Sequence, residues 1–390
     1  MAAVPEPTRA QQRPSRESGG SPPEEAPRAG APGAGAPGAG APGDETPGHE
    51  TPEDGLRALD VVGIGNAIVD VLAEVPDRVL ADLGLVRGSM ELVDLRRAEE
   101  IYSAIGPAVE VSGGSAANTV AGVAALGGTS GFVGKVADDD LGNVFVHDMR
   151  ASGVDLRVVV ADADAGDTEV RGTGRSLVLV TGDAERTMAT HLGVAGTLGS
   201  EDVAGDLVAR GSVLYLEGYL WDRPSAKDAM RQAVKIAHDY DRAVALSLSD
   251  SFCVERHRRD LLDLVVGEVD VLFGNEHELV RLFDARTFDD ALSAAAETGV
   301  LVAATCGARG SFVVDGQGPV EVPAAPAPEI IDKTGAGDMY ASGFLFGLTH
   351  GLEPAECARL GSMCASAVLG HLGARPTHDL AELARAEGLA

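Results

Sequence analysis

Short apolar runs, rich in β-branched residues, alternate with longer amphipathic segments along most of the chain from Ala58 onward. Runs of the first kind predict buried strands, and apolar positions repeating every three to four residues predict helices packed against them. The strand-like runs include 212–221, 242–249, 269–275 and 300–307, and the helix-like segments between them are 225–241, 256–267 and 276–283. This alternation predicts an α/β fold, a three-layer α/β/α sandwich around a mostly parallel sheet with helices on both faces.

Two stretches interrupt the alternation with shorter and more polar strand patterns. They are LGLVRGSMELVD at 83–94 and DTEVRGTGRSLVLVTGDAERTMATHL at 167–192. Before them, LDVVGIGNAIVDVLAEV at 59–75 predicts a strand with a turn inside it, where the folded region begins. We expect the interrupting stretches to pair into a small separate sheet that acts as a lid, formed from about 70–110 and 165–190.

The first 55 residues differ in composition from the rest. They are rich in Pro, Gly, Ala and Glu and repeat APGAGAPGAGAPG at 31–43. So little apolar surface cannot offset the entropy lost on ordering, which predicts a disordered tail at 1–55 ahead of a folded domain at 56–390. The tail lacks the apolar stretch of a secretory signal, and its acidic residues argue against a mitochondrial transit peptide.

Composition and charge narrow the function classes. The chain is 45% hydrophobic, but no apolar run approaches the roughly 18 residues that a membrane helix requires, so we expect no membrane partner. Its 60 acidic and 31 basic residues give a formal charge of −29, which would repel a nucleic-acid backbone in the absence of a basic cluster. The four cysteines form no C-x-x-C pair, so we expect reduced thiols in a cytoplasmic protein, with Cys357 and Cys364 in the core.

The most informative stretch is EIIDKTGAGDMYASGFLFGL at 329–348, where a strand-like run precedes Gly335, Ala336, Gly337, Asp338 and a helix-like run. Amide groups at a helix start are unpaired and partly positive, so the three small residues can receive negative charge that develops on a phosphoryl group. Asp338 in the first turn would lie beside the same anion and could take the proton of an attacking hydroxyl. The alternative, an acid that only favours the helix dipole, would not require Gly-Ala-Gly before it.

Polar residues beyond the first strand indicate where a hydroxylated ligand would bind. GIGNAIVD at 63–70 lacks the third glycine of a dinucleotide-binding G-x-G-x-x-G, because Ile68 stands there, which weighs against a nicotinamide dehydrogenase. Asn66 and Asp70 remain, and an ionised carboxylate such as Asp70 can accept hydrogen bonds from two adjacent hydroxyls. An Asp that only bonds its own backbone in a turn is the alternative.

A glycine pair precedes a helix of small residues in SGGSAANTVAGVAALGG at 112–128. Gly113 and Gly114 would let the backbone approach a ligand closely, Ser115 can cap the helix or donate, and Asn118 offers both donors and acceptors. An ordinary turn before a helix is the alternative.

Two further segments at strand ends indicate a nucleotide site. Asn275 and Glu278 begin a helix after a strand, and an amide with a carboxylate suits hydrated Mg²⁺, although the same pair also fits a helix cap. Thr305, Gly307 and Gly310 follow the next strand and suit a loop over phosphates, with an ordinary hairpin turn as the alternative.

With these motifs in this order, the chain resembles the PfkB or ribokinase-like carbohydrate kinases over roughly 58–378, and within them the adenosine-kinase branch. DKTGAGDMYASGF is similar to the family signature D-T-x-G-A-G-D, and GGSAAN is similar to its sugar-binding G-G-x-x-x-N. The branch is indicated by GIGNAIVDVLAEV, VDVLFGNEHE and TGRSLVLVTGDAERTM. The resemblance implies a ribokinase-like sandwich with a β-sheet lid, in an enzyme that phosphorylates a nucleoside 5′-hydroxyl with ATP, adenosine to AMP in purine salvage.

The resemblance also implies roles for particular residues. The expected catalytic residues are Asp338 as base, Gly335, Ala336 and Gly337 as anion hole, and Arg186, which reaches from the lid toward phosphate. The expected acceptor-binding residues are Asn66, Asp70, Gly113, Gly114, Ser115 and Asn118. The expected cofactors are ATP and Mg²⁺, bound by Asn275, Glu278, Thr305, Gly307 and Gly310, with Glu278 near Mg²⁺ through water. An additional monovalent cation is left open.

Several alternatives stay open from the sequence. Lys333 departs from the family's usual Thr or small residue, but it leaves the acid and the amides unchanged. Glu217 ends a strand where sugar-specific relatives place a sugar-binding Glu, which keeps open a kinase of ribose, fructose or another nucleoside; a non-catalytic ligand-binding relative is a third alternative. Phe252, Phe132 and Trp221 are candidates for stacking on a base, and either a monomer or a homodimer is expected.

Overall fold

The structure, a computed structural model, describes residues 58–163, 170–183, 185–327 and 329–389. The predicted tail at 1–55 and part of the predicted lid at 165–190 lie outside the described residues. The strands within the described residues are β1 (Leu59–Ile64), β2 (Ile68–Glu74), β3 (Met90–Leu92), β4 (Val109–Gly113), β5 (Ser130–Ala137), β6 (Asp155–Ala161), β7 (Gly174–Val180), β8 (Arg186–His191), β9 (Gly211–Glu217), β10 (Ala243–Ser247), β11 (Val271–Asn275), β12 (Leu301–Thr305), β13 (Ser311–Asp315) and β14 (Gly318–Val322).

The helices alternate with these strands as the sequence predicts. They are α1 (Asp77–Asp82), α2 (Leu95–Ala104), α3 (Ser115–Ala125), α4 (Asp140–Ala151), α5 (Gly205–Arg210), α6 (Pro224–Asp239), α7 (Ser251–Glu268), α8 (Glu276–Leu282), α9 (Phe288–Thr298), α10 (Ala336–Thr349), α11 (Pro354–Val368) and α12 (Leu380–Ala386).

Nine strands form a large sheet in the order β14-β13-β12-β11-β10-β9-β1-β5-β6. The strands from β12 to β6 pair in parallel, and β13 and β14 extend the β12 edge antiparallel. The chain passes from β1 to β5 and β6 on one side, then returns to β9 and continues to β12 on the other. Such a reversal opens a crevice at the carboxyl ends of the central strands, where ligands bind in open α/β sheets.

The two faces of the large sheet carry separate cores. Along β9, Leu214 and Leu216 pack in a cluster with α5 to α9, whereas Val213 and Tyr215 pack in a cluster with α3, α4, α10 and α11. Successive strand residues point to opposite faces, so a continuous apolar run buries both. The predicted three-layer α/β/α sandwich around a mostly parallel sheet is confirmed.

Five strands form the second, smaller sheet in the order β3-β8-β7-β2-β4. One of its faces is covered by α1 and α2, with Val71, Leu177 and Ala189 packed against Leu80 and Ile101. The two interrupting stretches do pair, as predicted, and β2 and β4 join them. The single apolar run at 59–75 therefore divides at its internal turn, and its two strands enter different sheets.

The strand-like run before α10 is not a strand in the structure. Within the described residues 329–332 is irregular, and the amides of Ile331 and Asp332 both donate to the Leu369 carbonyl, at 2.8 Å and 3.4 Å. The buried Asp332 carboxylate accepts instead from the Thr334 amide at 2.8 Å, the Thr334 hydroxyl at 2.7 Å and the Gly373 amide at 2.8 Å. A side chain thus satisfies the local amides that a strand neighbour would otherwise satisfy.

The four cysteines are free and buried, including Cys357 and Cys364 on α11, as predicted. No helix in the described ranges combines the length and the apolar character that crossing a membrane demands.

Helices α10 and α11 cross in backbone contact at Gly343 and Gly361. A Cβ added at Gly343 would lie 2.7 Å from the Leu360 carbonyl oxygen and 2.8 Å from the Gly361 Cα. We expect Gly343→Ala to lower the free energy of unfolding by about 1–3 kcal/mol, because backbone atoms cannot move aside without separating the helices. Urea denaturation followed by circular dichroism measures the change.

Gly267→Ala in α7 is the matched control, since this exposed helical glycine has nothing within 4 Å of an added Cβ. Replacement there should leave stability unchanged or raise it by up to about 1 kcal/mol. Equal effects of the two substitutions would contradict the close crossing.

Candidate active site

A cavity of about 490 Å³ opens at the carboxyl ends of the central strands. Both sheets and the first turns of α3 and α10 line it. The predicted site residues in its wall are Asn66, Asp70, Gly114, Ser115, Asn118, Arg186, Asn275, Glu278, Thr305, Gly307, Gly335, Ala336, Gly337 and Asp338. Two predicted residues, Gly113 and Gly310, do not line it.

Asp338 lies in the first turn of α10. The helix begins at an N-cap, Gly335, whose φ of +74° is left-handed and whose added Cβ would collide with Ala374, so glycine is required there on two counts. Within the described residues, the amide N–H groups of Gly335, Gly337 and Asp338 have no acceptor. The helix start therefore leaves partial positive charge at the cavity wall.

Two side chains in the first turn of α3 hold the Asp338 carboxylate. Ser115 Oγ donates to Oδ1 at 2.7 Å, and Asn118 Nδ2 donates to Oδ2 at 2.9 Å. Burial raises the pKa of Asp338, while these two hydrogen bonds and the charges of Arg186 and Arg375 oppose the rise. The Oδ1 atom of Asn118 is buried without a partner among the described residues, so it can still accept from a ligand.

Asp70 lies within β2 rather than in a turn, and it lines the cavity from the small sheet. A Cβ at Gly113 would overlap its carboxylate, so Gly113 makes room for Asp70 from behind the cavity wall. Burial raises the pKa of Asp70 to about 7, with the charge of Asp338 adding to the rise and that of Arg375 opposing it. No donor to this carboxylate is found among the described residues, which leaves it available to a ligand.

Glu217, at the end of β9, has a structural role that the sequence did not reveal. Its Oε1 accepts from Asn66 Nδ2 at 2.7 Å, and its Oε2 accepts from the Ala116 amide at 2.9 Å. The residue is 1% exposed, and burial raises its pKa to about 7. One carboxylate therefore joins the β1–β2 turn to the start of α3. Glu217 also lines the cavity, and its Oε2 can accept a further hydrogen bond, so the sugar-binding alternative stays open.

Arg186 begins β8 of the small sheet and contacts the loop before α10. Its Nη1 donates to the Lys333 carbonyl at 2.6 Å. Lys333 is exposed and lines the cavity, and this contact uses its backbone carbonyl and not its side chain. The contact connects the small sheet to the segment that carries Asp338.

Asn275 and Glu278 form a capping box at the start of α8. The Glu278 carboxylate accepts from the amide of Asn275 at 2.9 Å and from its Nδ2 at 2.6 Å, and the Glu278 amide donates to Asn275 Oδ1 at 3.0 Å. Burial raises the pKa of Glu278 to about 7. The helix-cap alternative is therefore correct, and both residues line the cavity as well. In the part of the chain that is described, no group of three or more His, Cys, Asp or Glu could hold a metal ion.

A tight hairpin joins β12 to β13. The Cys306 amide donates to the Gly310 carbonyl at 2.8 Å, and the Gly310 amide donates to the Gly307 carbonyl at 3.0 Å. Thr305 and Gly307 lie on the cavity side of this hairpin, whereas Gly310 forms its turn. The hairpin alternative thus describes Gly310, and the loop interpretation applies to the other two.

The small sheet gives the cavity an apolar wall that the sequence did not reveal. The wall consists of Ile68, Met90, Leu92, Val178, Met188 and Leu192. The aromatic candidates lie elsewhere, because Phe132 and Trp221 are buried in the core and Phe252 is 58% exposed on α7. Tyr219 and Phe273 line the cavity in their place. Alternation along β2 and β7 predicts one shared face, but only the packing of the two sheets shows that this face meets a cavity.

Comparisons with known proteins give the family to which the chain belongs. Residues 85–380 match the family described as pfkB family carbohydrate kinase. The crystal structure of adenosine kinase from Sinorhizobium meliloti is 47% identical, has a TM-score of 0.80, and covers 85% of this chain and 99% of its own. A probable sugar kinase from Rhizobium etli is 43% identical, has a TM-score of 0.82, and covers 86% of this chain and 100% of its own. Adenosine kinase from Saccharomyces cerevisiae is 27% identical over 335 residues, which are 80% of this chain and 95% of that protein.

The pKa of Glu217 in the folded chain, about 7, lies above its ordinary value of 4.5. Between pH 4.5 and pH 7 Glu217 binds a proton in the folded state that it does not bind in the unfolded state. The contribution of protonated Glu217 to the free energy of unfolding is therefore fully present below about pH 4.5 and is lost as the pH rises through 7. We expect the stability difference between wild type and Glu217→Gln to shrink by roughly 1–3 kcal/mol from pH 5 to pH 8. Urea denaturation at the two pH values measures this difference.

Glu297→Gln on α9 is the matched control, because Glu297 is exposed. Its stability difference from wild type should stay constant over the same pH range. An identical pH dependence for both variants would rule out burial of the Glu217 charge.

Proposed function

Because the chain belongs to the pfkB family of carbohydrate kinases and is therefore a phosphotransferase with a hydroxyl acceptor, we propose that it phosphorylates the 5′-hydroxyl of adenosine with ATP. The observation that carries the proposal is the Asp338 carboxylate, which lies beside unpaired amides and in one cavity with Asp70. The adenosine kinases of Sinorhizobium meliloti and yeast support this acceptor. The probable sugar kinase from Rhizobium etli supports a sugar acceptor as the alternative.

Asp338 acts as the general base in this mechanism. Ser115 and Asn118 hold its two oxygens, so the carboxylate has one orientation relative to the amides of the α10 N-terminus. It must be ionised to accept a proton, and the hydrogen bonds from Asn118 and Ser115 favour that form against burial. The nucleoside oxygen forms its bond to the γ-phosphorus, the bond from that phosphorus to ADP breaks, and the hydroxyl proton passes to Asp338.

The protein stabilises the developing phosphoryl charge through backbone and side chain together. The amides of Gly335 and Gly337 have no acceptor among the described residues, which fits a phosphate of ATP. Arg186 adds positive charge from the small sheet. When bound with ATP, Mg²⁺ would supply further neutralisation of phosphate charge. Glu278 would contact that ion through water, because its carboxylate already accepts from Asn275.

Asp70 and the apolar wall together bind the acceptor. The Asp70 carboxylate has no protein donor among the described residues, and two ribose hydroxyls would supply donors that favour its ionised form. The wall of Ile68, Met90, Leu92, Val178, Met188 and Leu192 provides apolar surface for a purine ring. A pentose or hexose alone would leave that surface in contact with water, at a cost in binding free energy.

The small sheet acts as a lid over this cavity. The Arg186 bond to the Lys333 carbonyl brings the sheet against the anion-binding loop, residues 332–337, which leads into α10. A lid excludes water, which strengthens the electrostatic interactions within the site and prevents transfer of the phosphoryl group to water.

Removal of the proposed base tests the mechanism directly. We expect Asp338→Asn to lower kcat by about a thousandfold or more, because the amide cannot accept the hydroxyl proton, while adenosine binding is largely kept. Asp140→Asn is the matched control, since Asp140 is an exposed acid in the first turn of α4. Steady-state kinetics and calorimetric binding give the two quantities. Near-normal turnover of Asp338→Asn would refute the assignment of the base.

The acceptor is tested with a panel of adenosine, other nucleosides, ribose and fructose, each with ATP and Mg²⁺. We expect kcat/KM for adenosine to exceed that for either free sugar by at least about a hundredfold, because only the nucleoside covers the apolar wall. Formation of ADP and of the phosphorylated acceptor would be measured together. A sugar that outperforms adenosine would overturn the acceptor and leave the kinase assignment intact.

A further inference from the structure

An arginine outside the predicted motifs, Arg375, contacts both ends of the segment that leads from β4 into α3. We propose that Arg375 is a positioning residue of this site: its guanidinium holds the segment 112–118, which joins β4 to the first turn of α3 and carries Ser115 and Asn118, and its charge acts on Asp70 and Asp338. The proposal rests on the proposed function, because it concerns the loop and the carboxylates to which that function assigns acceptor binding and catalysis.

The guanidinium of Arg375 spans the acceptor loop, which is the segment 112–118 from the end of β4 to the first turn of α3. Its Nη1 donates to the Ala117 carbonyl at 3.3 Å, and its Nη2 donates to the Ser112 carbonyl at 3.3 Å and the Ser112 hydroxyl at 3.1 Å. Ser112 lies in β4 and Ala117 in the first turn of α3, so the two contacts bracket residues 113–116. A planar fork of donors suits this task because it fixes two acceptors at once.

The segment Gly373–Arg375 also contacts the loop that precedes α10. The Gly373 amide donates to Asp332 Oδ2 at 2.8 Å, and Ala374 fills the space in which a Cβ of Gly335 would stand. Three consecutive residues therefore contact the anion-binding loop at one end and the acceptor loop at the other. The geometry couples the placement of the amides that face phosphate to the placement of the side chains that hold Asp338.

Among the described residues, Arg375 forms no direct ion pair. Its hydrogen bonds go to neutral carbonyl, hydroxyl and thioether groups. Removal from water lowers its pKa to about 10, and Asp70, Asp338 and Asp148 oppose that fall, so it stays cationic at neutral pH. The positive charge of Arg375 favours the ionised form of both carboxylates, so it opposes the rise in the pKa of Asp70 and of Asp338 that burial causes. The other charged or titratable groups that face these three residues are Asp332, Asp148, Arg186, Glu217, Tyr215 and Tyr219.

The test compares Arg375→Met and Arg375→Lys in the full chain. Arg375→Met removes both the fork and the charge, whereas Arg375→Lys keeps the charge and loses the fork. Arg242→Met is the matched control, since Arg242 is also partly buried and donates to a backbone carbonyl, that of Ala209, at 2.9 Å, just before β10 and away from the cavity. Hydrogen exchange of residues 112–118 reports the loop without requiring activity, and kinetics over a range of pH report the carboxylates.

In Arg375→Met we expect faster hydrogen exchange of the backbone amides of residues 112–118 and a roughly tenfold higher KM for adenosine. In the plot of kcat/KM against pH, we expect the rise on the acidic side, the acidic limb, to move by about one unit to higher pH. The limb moves upward because loss of a positive charge raises the pKa of carboxylates that must be ionised to act. In Arg375→Lys the exchange should still rise, while the acidic limb stays near that of wild type. The Arg242→Met control should leave the exchange of 112–118 and the acidic limb unchanged.

The two proposals fail in different ways. If wild type phosphorylates no acceptor, the proposed function is wrong, and the exchange of 112–118 still decides whether Arg375 positions the loop. If wild type is active and Arg375→Met changes neither the exchange nor the acidic limb, the inference about Arg375 is overturned. A loss of thermal stability alone, with both readouts unmoved, would overturn it as well.

Discussion

The site depends on one carboxylate held between the first turns of two helices. Asp338 belongs to α10, and its two oxygens accept from Ser115 and Asn118 in α3. Both helix starts direct partial positive charge toward this point, which favours a carboxylate and a phosphoryl group as neighbours. The two helices can approach closely because Gly122 of α3 has no side chain. A Cβ at this position would lie 2.5 Å from the Ser342 hydroxyl of α10. Helix packing thus sets the geometry of the proposed chemistry.

Three buried carboxylates around the cavity have a pKa raised to about 7 by the loss of water, but they are not equivalent. Glu217 accepts from the Ala116 amide at the start of α3, and Glu278 accepts from the Asn275 amide at the start of its own helix, α8. Asp70 has no donor among the described residues. Asp70 lines the cavity, so of the three it is the acid that keeps both oxygens available to accept hydrogen bonds from a ligand.

The small sheet connects fold and acceptor choice. Its strands bring together one acid, Asp70, one cation, Arg186, and the apolar wall on the face opposite α1 and α2. Polar groups at one end and apolar surface at the other match a nucleoside, in which the sugar hydroxyls and the base lie at opposite ends. The relatives with this fold include both an adenosine kinase and a probable sugar kinase, so the fold alone does not decide the acceptor.

The sequence by itself determined the alternating α/β sandwich, the second sheet and the candidates Asp338, Asp70 and Gly335, because periodicity and glycine–acid spacing are local properties of the chain. Only the tertiary structure decided the roles of Glu217 and Arg375. The Glu217 carboxylate meets Asn66 across 151 residues, and the Arg375 guanidinium meets Ala117 across 258. It also decided that Phe132 and Trp221 pack in the core, since an aromatic side chain in a strand pattern suits either a core or a cavity wall. Contacts between residues so distant depend on how the sheets and helices pack, and no local pattern encodes that packing.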